Sequence, residues 1–162
     1  MLVEEKTAKA RRREVEDRLV ALAAKTRLNP DDAIVVLFLA CLYGSGAARK
    51  VIKPNEPDDY NVLCDLHAVS RIGLIKAIVR HTGQSTKVYF RTLDEGLDEV
   101  LGYMKFADCR ITSPDRLSIK IQYRSGLFPD LAETDVGALF ARLNVEYRSS
   151  IETKLEYQIT EG

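Results

Sequence analysis

Apolar residues along this chain recur with two different periods, and the change falls near Gly83. Before it the spacing is helical. In EEKTAKARRREVEDRLVALAAKTR, Val15, Leu19, Leu22 and Ala23 form a narrow stripe at steps of one to four residues within a charged background. AIVVLFLACLY, residues 33–43, is apolar all round, which predicts a buried helix; it is too short to span a bilayer. Asn29-Pro30-Asp31-Asp32 ahead of it is a start signal, with Asn as N-cap, Pro at the first helical position and acids in the first turn. Gly44 is the expected stop, with GSGAARK as a loosened exit and KPNEPDD, residues 53–59, as a surface loop. Residues 60–82 are helical again without keeping one face. Val62, Leu66, Val69 and Ile72 share one side, while Ile75, Ile78 and Val79 share another. The pattern predicts a break between Ser70 and Gly73.

After Gly83 the period becomes two. KVYFRT reads as a strand with Val88 and Phe90 on one face and Tyr89 and Arg91 on the other. Thr92 and Glu95 make a capping box for a helix from Leu93 to about Phe106. CRIT is a short strand, and Ser113-Pro114-Asp115 is a turn signal. RLSIKIQYRS then alternates, Leu117, Ile119, Ile121 and Tyr123 inward against Ser118, Lys120, Gln122 and Arg124 outward. Asp130 and Glu133 form a second capping box for a helix through Leu143. In NVEYRSSIETKLEYQIT the residues Val145, Tyr147, Ile151, Leu155, Tyr157 and Ile159 share one parity, so the segment reads as a long last strand.

The order strand, helix, strand, strand, helix, strand is that of a ferredoxin-like βαββαβ sandwich. The predicted class is α+β. A helical region of three to four helices, residues 1–82, precedes a ferredoxin-like domain, residues 83–162. That domain has a four-stranded antiparallel sheet, and the two parts pack as one compact unit. The last strand would lie at the sheet edge, and an unpaired edge of that length seeks a partner. A homodimer through Tyr147, Ile151, Leu155 and Tyr157 follows as an expectation.

A second pattern crosses the same boundary. DLHAVSRIGLIKAIVRHTG followed by KVYFRTLDEGLDEVL locally resembles a winged helix-turn-helix regulator, over about residues 58–101. The resemblance implies a turn near Ser70, a recognition helix and a wing. Only Thr82 to Thr86 separate that helix from KVYFRT, which leaves no room for a first wing strand.

Net charge is zero, from 24 basic and 24 acidic residues, which excludes a histone-like polybasic protein but conceals local segregation. From Leu66 to Leu93 there is no acid, whereas Arg71, Lys76, Arg80, Lys87 and Arg91 are basic. Adding Lys120, Arg124 and the ring of Tyr89 gives a surface suited to a phosphate backbone and one stacked base. DNA or RNA is therefore the expected partner. The competing expectation is a homodimeric assembly or ligand-sensing protein that docks a protein partner through its helices.

Cys41, Cys64 and Cys109 are odd in number and widely spaced, which suits reduced thiols and a cytoplasmic setting. Met1 to Arg18 has no apolar core of a signal peptide, and no membrane association is expected. Cys64 and His67 lack a second ligand pair, GSGAARK lacks the ending of a phosphate-binding loop, and neither histidine has a patterned nucleophile. No metal or cofactor is expected, and the reading leans against an enzyme. KTAKARRR, residues 6–13, is a frayed helix end with a secondary prospect of phosphate contact.

Overall fold

The computed structural model describes residues 9–54, 59–83, 87–113 and 116–160, the side chains at 59–60, 112–113, 116–117 and 150–160 excepted. The described residues form six α-helices and one two-stranded antiparallel sheet. The chain groups into two units, one formed by residues 1–45 with 128–162 and the other by residues 46–127. That division does not follow the 82/83 boundary read from the sequence.

The first unit is helical. Helix α1, Arg12–Thr26, ends where Arg27 turns left-handed at φ 60°. Its buried side is wider than the predicted stripe: Val15, Leu19 and Ala23 are buried, Leu22 is exposed, and Glu16, Val20 and Ala24 complete the face. Helix α2, Ala33–Leu42, is buried as its composition requires. Its N-cap is Asp32 rather than Asn29. The Asp32 carboxylate accepts from the Asn29 amide at 2.7 Å, so Asn29 to Asp32 form a turn ahead of the helix. At Gly44 φ is +86°, and a Cβ there would lie 3.1 Å from the Asp130 carboxylate. Glycine is needed both for the turn and for that approach.

Helix α6, Glu133–Thr160, runs on through the segment predicted as the last strand. The same apolar residues satisfy both periods. Leu139, Leu143 and Tyr147 stand four apart and all are buried, and the run from Glu133 to Thr160 has no proline. A lone edge strand lacks hydrogen-bond partners for its backbone, whereas a helix satisfies them within itself. The edge-strand basis for a dimer is thereby removed. Tyr147 is 8% exposed within its own unit, and the side chains of Ile151, Leu155 and Tyr157 lie outside the described residues. Asp130 is likewise not the N-cap of a capping box, because α6 begins only at Glu133; its carboxylate accepts from Arg12 instead.

The second unit begins with helix α3, Gly46–Ile52, so most of GSGAARK is helical rather than a loose exit. Helix α4, Asp59–His81, is continuous and carries no break at Ser70–Gly73. Gly73 is buried for another reason. A Cβ there would come within 2.9 Å of Ile119 Cγ1, so the missing side chain lets the sheet approach the helix. Gly73→Ala should destabilise the protein by about 1–3 kcal/mol through overpacking. Gly137→Ala, on an open face of α6, should stabilise it by about 0.5–1 kcal/mol. Urea unfolding of the pair checks both signs.

Residues 87–94, which include the predicted strand KVYFRT, have no regular secondary structure. Helix α5, Glu95–Gly102, starts two residues later than expected and ends sooner. Its N-cap is Asp94, whose carboxylate accepts from Leu97 N at 2.7 Å, while Thr92 Oγ1 accepts from Asp94 N at 3.1 Å. Strand β1, Met104–Ser113, contains the predicted CRIT and pairs antiparallel with β2, Arg116–Tyr123. The turn at Pro114–Asp115 lies outside the described residues, as do the loop at 55–58 and residues 84–86. With one two-stranded sheet and six helices, the four-stranded ferredoxin-like sandwich is overturned. KVYFRT and the C-terminal segment supply no strands, and a two-stranded ribbon gains its stability by packing on α4 instead.

Candidate functional site

The site is built on one side of α4. Val69, Ile72, Gly73, Lys76, Ala77 and Arg80 follow the three-and-four spacing of a single helix face, and the first three with Ala77 are buried. The hairpin packs on this face: Ile119 fills the space above Gly73, and the Lys76 ammonium sits 4.6 Å from the centroid of the Phe106 ring. One turn further, Arg80 Nη1 donates to Asp108 Oδ1 at 2.9 Å.

The hairpin register completes the arrangement. Met104, Phe106, Cys109, Ile119 and Ile121 are turned inward to differing degrees, while Lys105, Arg110, Ser118, Lys120 and Gln122 are exposed. The register shifts between Phe106 and Asp108, leaving Ala107 unpaired and bringing Asp108 opposite Lys120. Arg110 Nε reaches Asp108 Oδ2 at 2.7 Å. Arg80 and Arg110 therefore converge on one carboxylate, the sole acid within the two strands, with Lys120 at the cross-strand position opposite it. Positive charge is left in excess on an exposed ledge, with Lys105 and Arg124 nearby in the chain and also exposed. Burial pushes the Cys109 thiol up, while Lys76 and Arg80 act in the opposite direction.

The predicted site residues divide into three groups. Lys76, Arg80 and Lys120 are brought together at the ledge, and Arg124 follows β2. Arg71 is exposed but lies on the opposite side of α4 from Lys76 and Arg80, and does not join them. Lys87, Tyr89 and Arg91 lie on the extended segment, all exposed, Tyr89 by 80%. Burial, and then the neighbouring Asp94 charge, push the Asp65 carboxyl up. Arg110 and Asp108 complete the cluster. The sequence offered no local sign of their pairing with Arg80, which lies 28 residues away along the chain.

In the helical unit several cations are already engaged. Arg12 donates to Asp130 and lies 5.3 Å from the Tyr43 ring centroid, and Arg13 meets Glu146 at 2.6 Å and Asp17 at 3.1 Å. Arg12 and Arg13 of the N-terminal basic run therefore serve the packing of this unit. Glu16, only 1% exposed, accepts from the Tyr43 hydroxyl and from Arg142. Burial pushes its carboxyl up, against the pull of the Tyr43 hydrogen bond and Arg13. A glutamate in register with the buried Val20 and Ala24 was the one available signal for this network.

Among the described residues no cluster of His, Cys, Asp and Glu fits a metal ion, and Cys64 and His67 are both exposed on α4. No helix among them is long and apolar enough to cross a membrane. Comparison with protein-family models, with curated proteins and with solved structures finds no match.

Proposed function

We propose that this chain is a cytosolic, non-enzymatic regulator that associates with nucleic acid through the ledge of α4 and the hairpin. The observation that carries the reading is the convergence of Arg80 and Arg110 on the single carboxylate of Asp108, with Lys120 opposite it on the neighbouring strand, at an exposed surface. Two arginines share one acid, and the uncompensated charge attracts a phosphate backbone. Lys76 and Lys105 extend the ledge, and Lys87 and Arg91 continue positive charge along the following segment, where no acid stands before Asp94.

Anisotropy of a fluorescein-labelled oligonucleotide, titrated with the full chain, tests this. Association should be measurable at low ionic strength and fall steeply with salt, log affinity being linear in log salt. No change in anisotropy at about 20 mM salt and tens of micromolar protein would refute it.

A second reading has its own support. Leu63, Leu74, Ile75 and Ile78 are 39–51% exposed along the face of α4 away from the ledge. Such a patch suits a protein partner or a second copy. Sedimentation showing a monomer that retains no added partner would count against it.

A further inference from the structure

Resting on the nucleic-acid reading, we infer that the partner is a single strand rather than a duplex, held along residues 87–93 with an unpaired base on Tyr89. The segment belongs to no sheet. Lys87, Tyr89, Phe90, Arg91 and Leu93 are exposed, whereas Val88 and Thr92 are half-buried. Tyr89 is 80% exposed, Phe90 42%, and Leu93 entirely so. Among the described residues no packing accounts for a ring and an isobutyl group held in water.

Their setting matches one ligand chemistry. A cation precedes the ring by two residues and another follows it by two. In extended backbone those cations lie about 13 Å apart, at ~3.3 Å per residue. The ring thus lies between two sites for phosphate. Stacking requires the face of a base, which an unpaired strand presents and a duplex conceals within its own stack. Base faces are indifferent to sequence, so a single aromatic platform with flanking cations binds any strand.

The helices argue against duplex readout. Duplex bases are read at their edges by polar side chains entering the major groove. α5, which immediately precedes the hairpin, exposes Glu95, Asp98 and Glu99 and would be repelled by phosphate. The exposed face of α4 away from the ledge presents Leu63, Leu74, Ile75 and Ile78 around a single arginine, Arg71, a mostly apolar surface unsuited to a phosphate-lined groove. Among the described residues of 46–127, the exposed basic side chains other than Arg71 and Lys50, which pairs with Glu99, lie on the ledge and the extended segment, which together accommodate a flexible strand.

The test compares a labelled thymidine 15-mer, the same length of duplex DNA, and a uridine 15-mer by anisotropy, using the wild type, Tyr89→Ala and Tyr89→Phe. The 15-residue length is of the order of the site size of single-strand binders. The single strands should bind about tenfold or more tighter than duplex. Tyr89→Ala should lose about tenfold on single strands and leave duplex affinity unchanged, while Tyr89→Phe, which keeps the ring, retains wild-type binding. Deoxy- and ribo-oligomers binding alike would fit stacking, and a preference for one would add 2′-hydroxyl recognition to it. Duplex binding as tight as single strand, or Tyr89→Ala weakening both equally, overturns the inference while leaving nucleic-acid binding standing. Binding to none of the three overturns both. Tyr89 is exposed, so thermal unfolding of the variants should superimpose on the wild type.

Discussion

Replacing Arg142 with alanine should destabilise the protein by about 3 kcal/mol at neutral pH, within the range for breaking a buried ion pair from one side. The variant leaves Glu16, 1% exposed, with the Tyr43 hydroxyl and the more distant Arg13, at 3.8 Å. The carboxylate loses its closest cation but cannot reach water without opening the packing of α1 against α6. The pH dependence has a definite sign. Burial raises the folded-state value of Glu16 above its ordinary 4.5, so over the interval between them the folded chain keeps a proton the unfolded chain has released. The stabilisation linked to that proton is fully present below the ordinary value and is lost as pH rises through the folded one. Without Arg142 the ionised form is harder still to hold, so the interval widens and the penalty of the substitution shrinks as pH falls. Urea unfolding at pH 7 and pH 5, followed by circular dichroism, measures both quantities. A loss below ~1 kcal/mol at neutral pH would assign the pair no more than a surface role.

Reversing two charges on the hairpin should have the largest effect on binding. Arg110→Glu with Lys120→Glu places two acids on the exposed face beside Asp108, which Arg80 still holds. Affinity for a single strand at low salt should fall by about a hundredfold or more, and the salt slope should shrink by roughly 0.7 for each phosphate contact removed. Both side chains are exposed, so the fold should survive, as a thermal melt will show. The comparison is with Arg71→Glu, on the far side of α4, which should change affinity only slightly. Equal losses from the two sets of substitutions would mean that net charge rather than the ledge governs association.

How far this architecture was legible depends on whether a pattern has one solution. Helices α1 and α2 follow from their spacing, α4 follows in extent but not in its continuity, α3 was read as a loose exit, and β2 follows from its alternation, with Ser118, Lys120 and Gln122 exposed as expected. KVYFRT alternates equally well, yet alternation specifies faces and not a neighbour, and no strand pairs with it. The C-terminal segment went wrong through a coincidence of periods. Tyr147, Ile151 and Leu155 are even steps apart and also four apart, so strand and helix both keep them on one side. Gly73 was read as a local weakness because its cause, Ile119, lies on a distant strand. The site shows the same limit. Lys76 and Arg80 could be paired from their helical spacing. The meeting of Arg80 with Asp108 and Arg110, and of Glu16 with Arg142, depends on tertiary packing that no local pattern encodes.

The central claim is that a nucleic-acid strand lies on the ledge and the extended segment. Backbone amide shifts of the labelled full chain, recorded while a thymidine 15-mer is added at low salt, locate the contact directly. The account predicts that the largest changes gather at Lys76–Arg80, Lys87–Leu93, Lys105–Arg110 and Ser118–Arg124. Changes confined to α1 and α6, or an unchanged spectrum at saturating oligonucleotide, would contradict it.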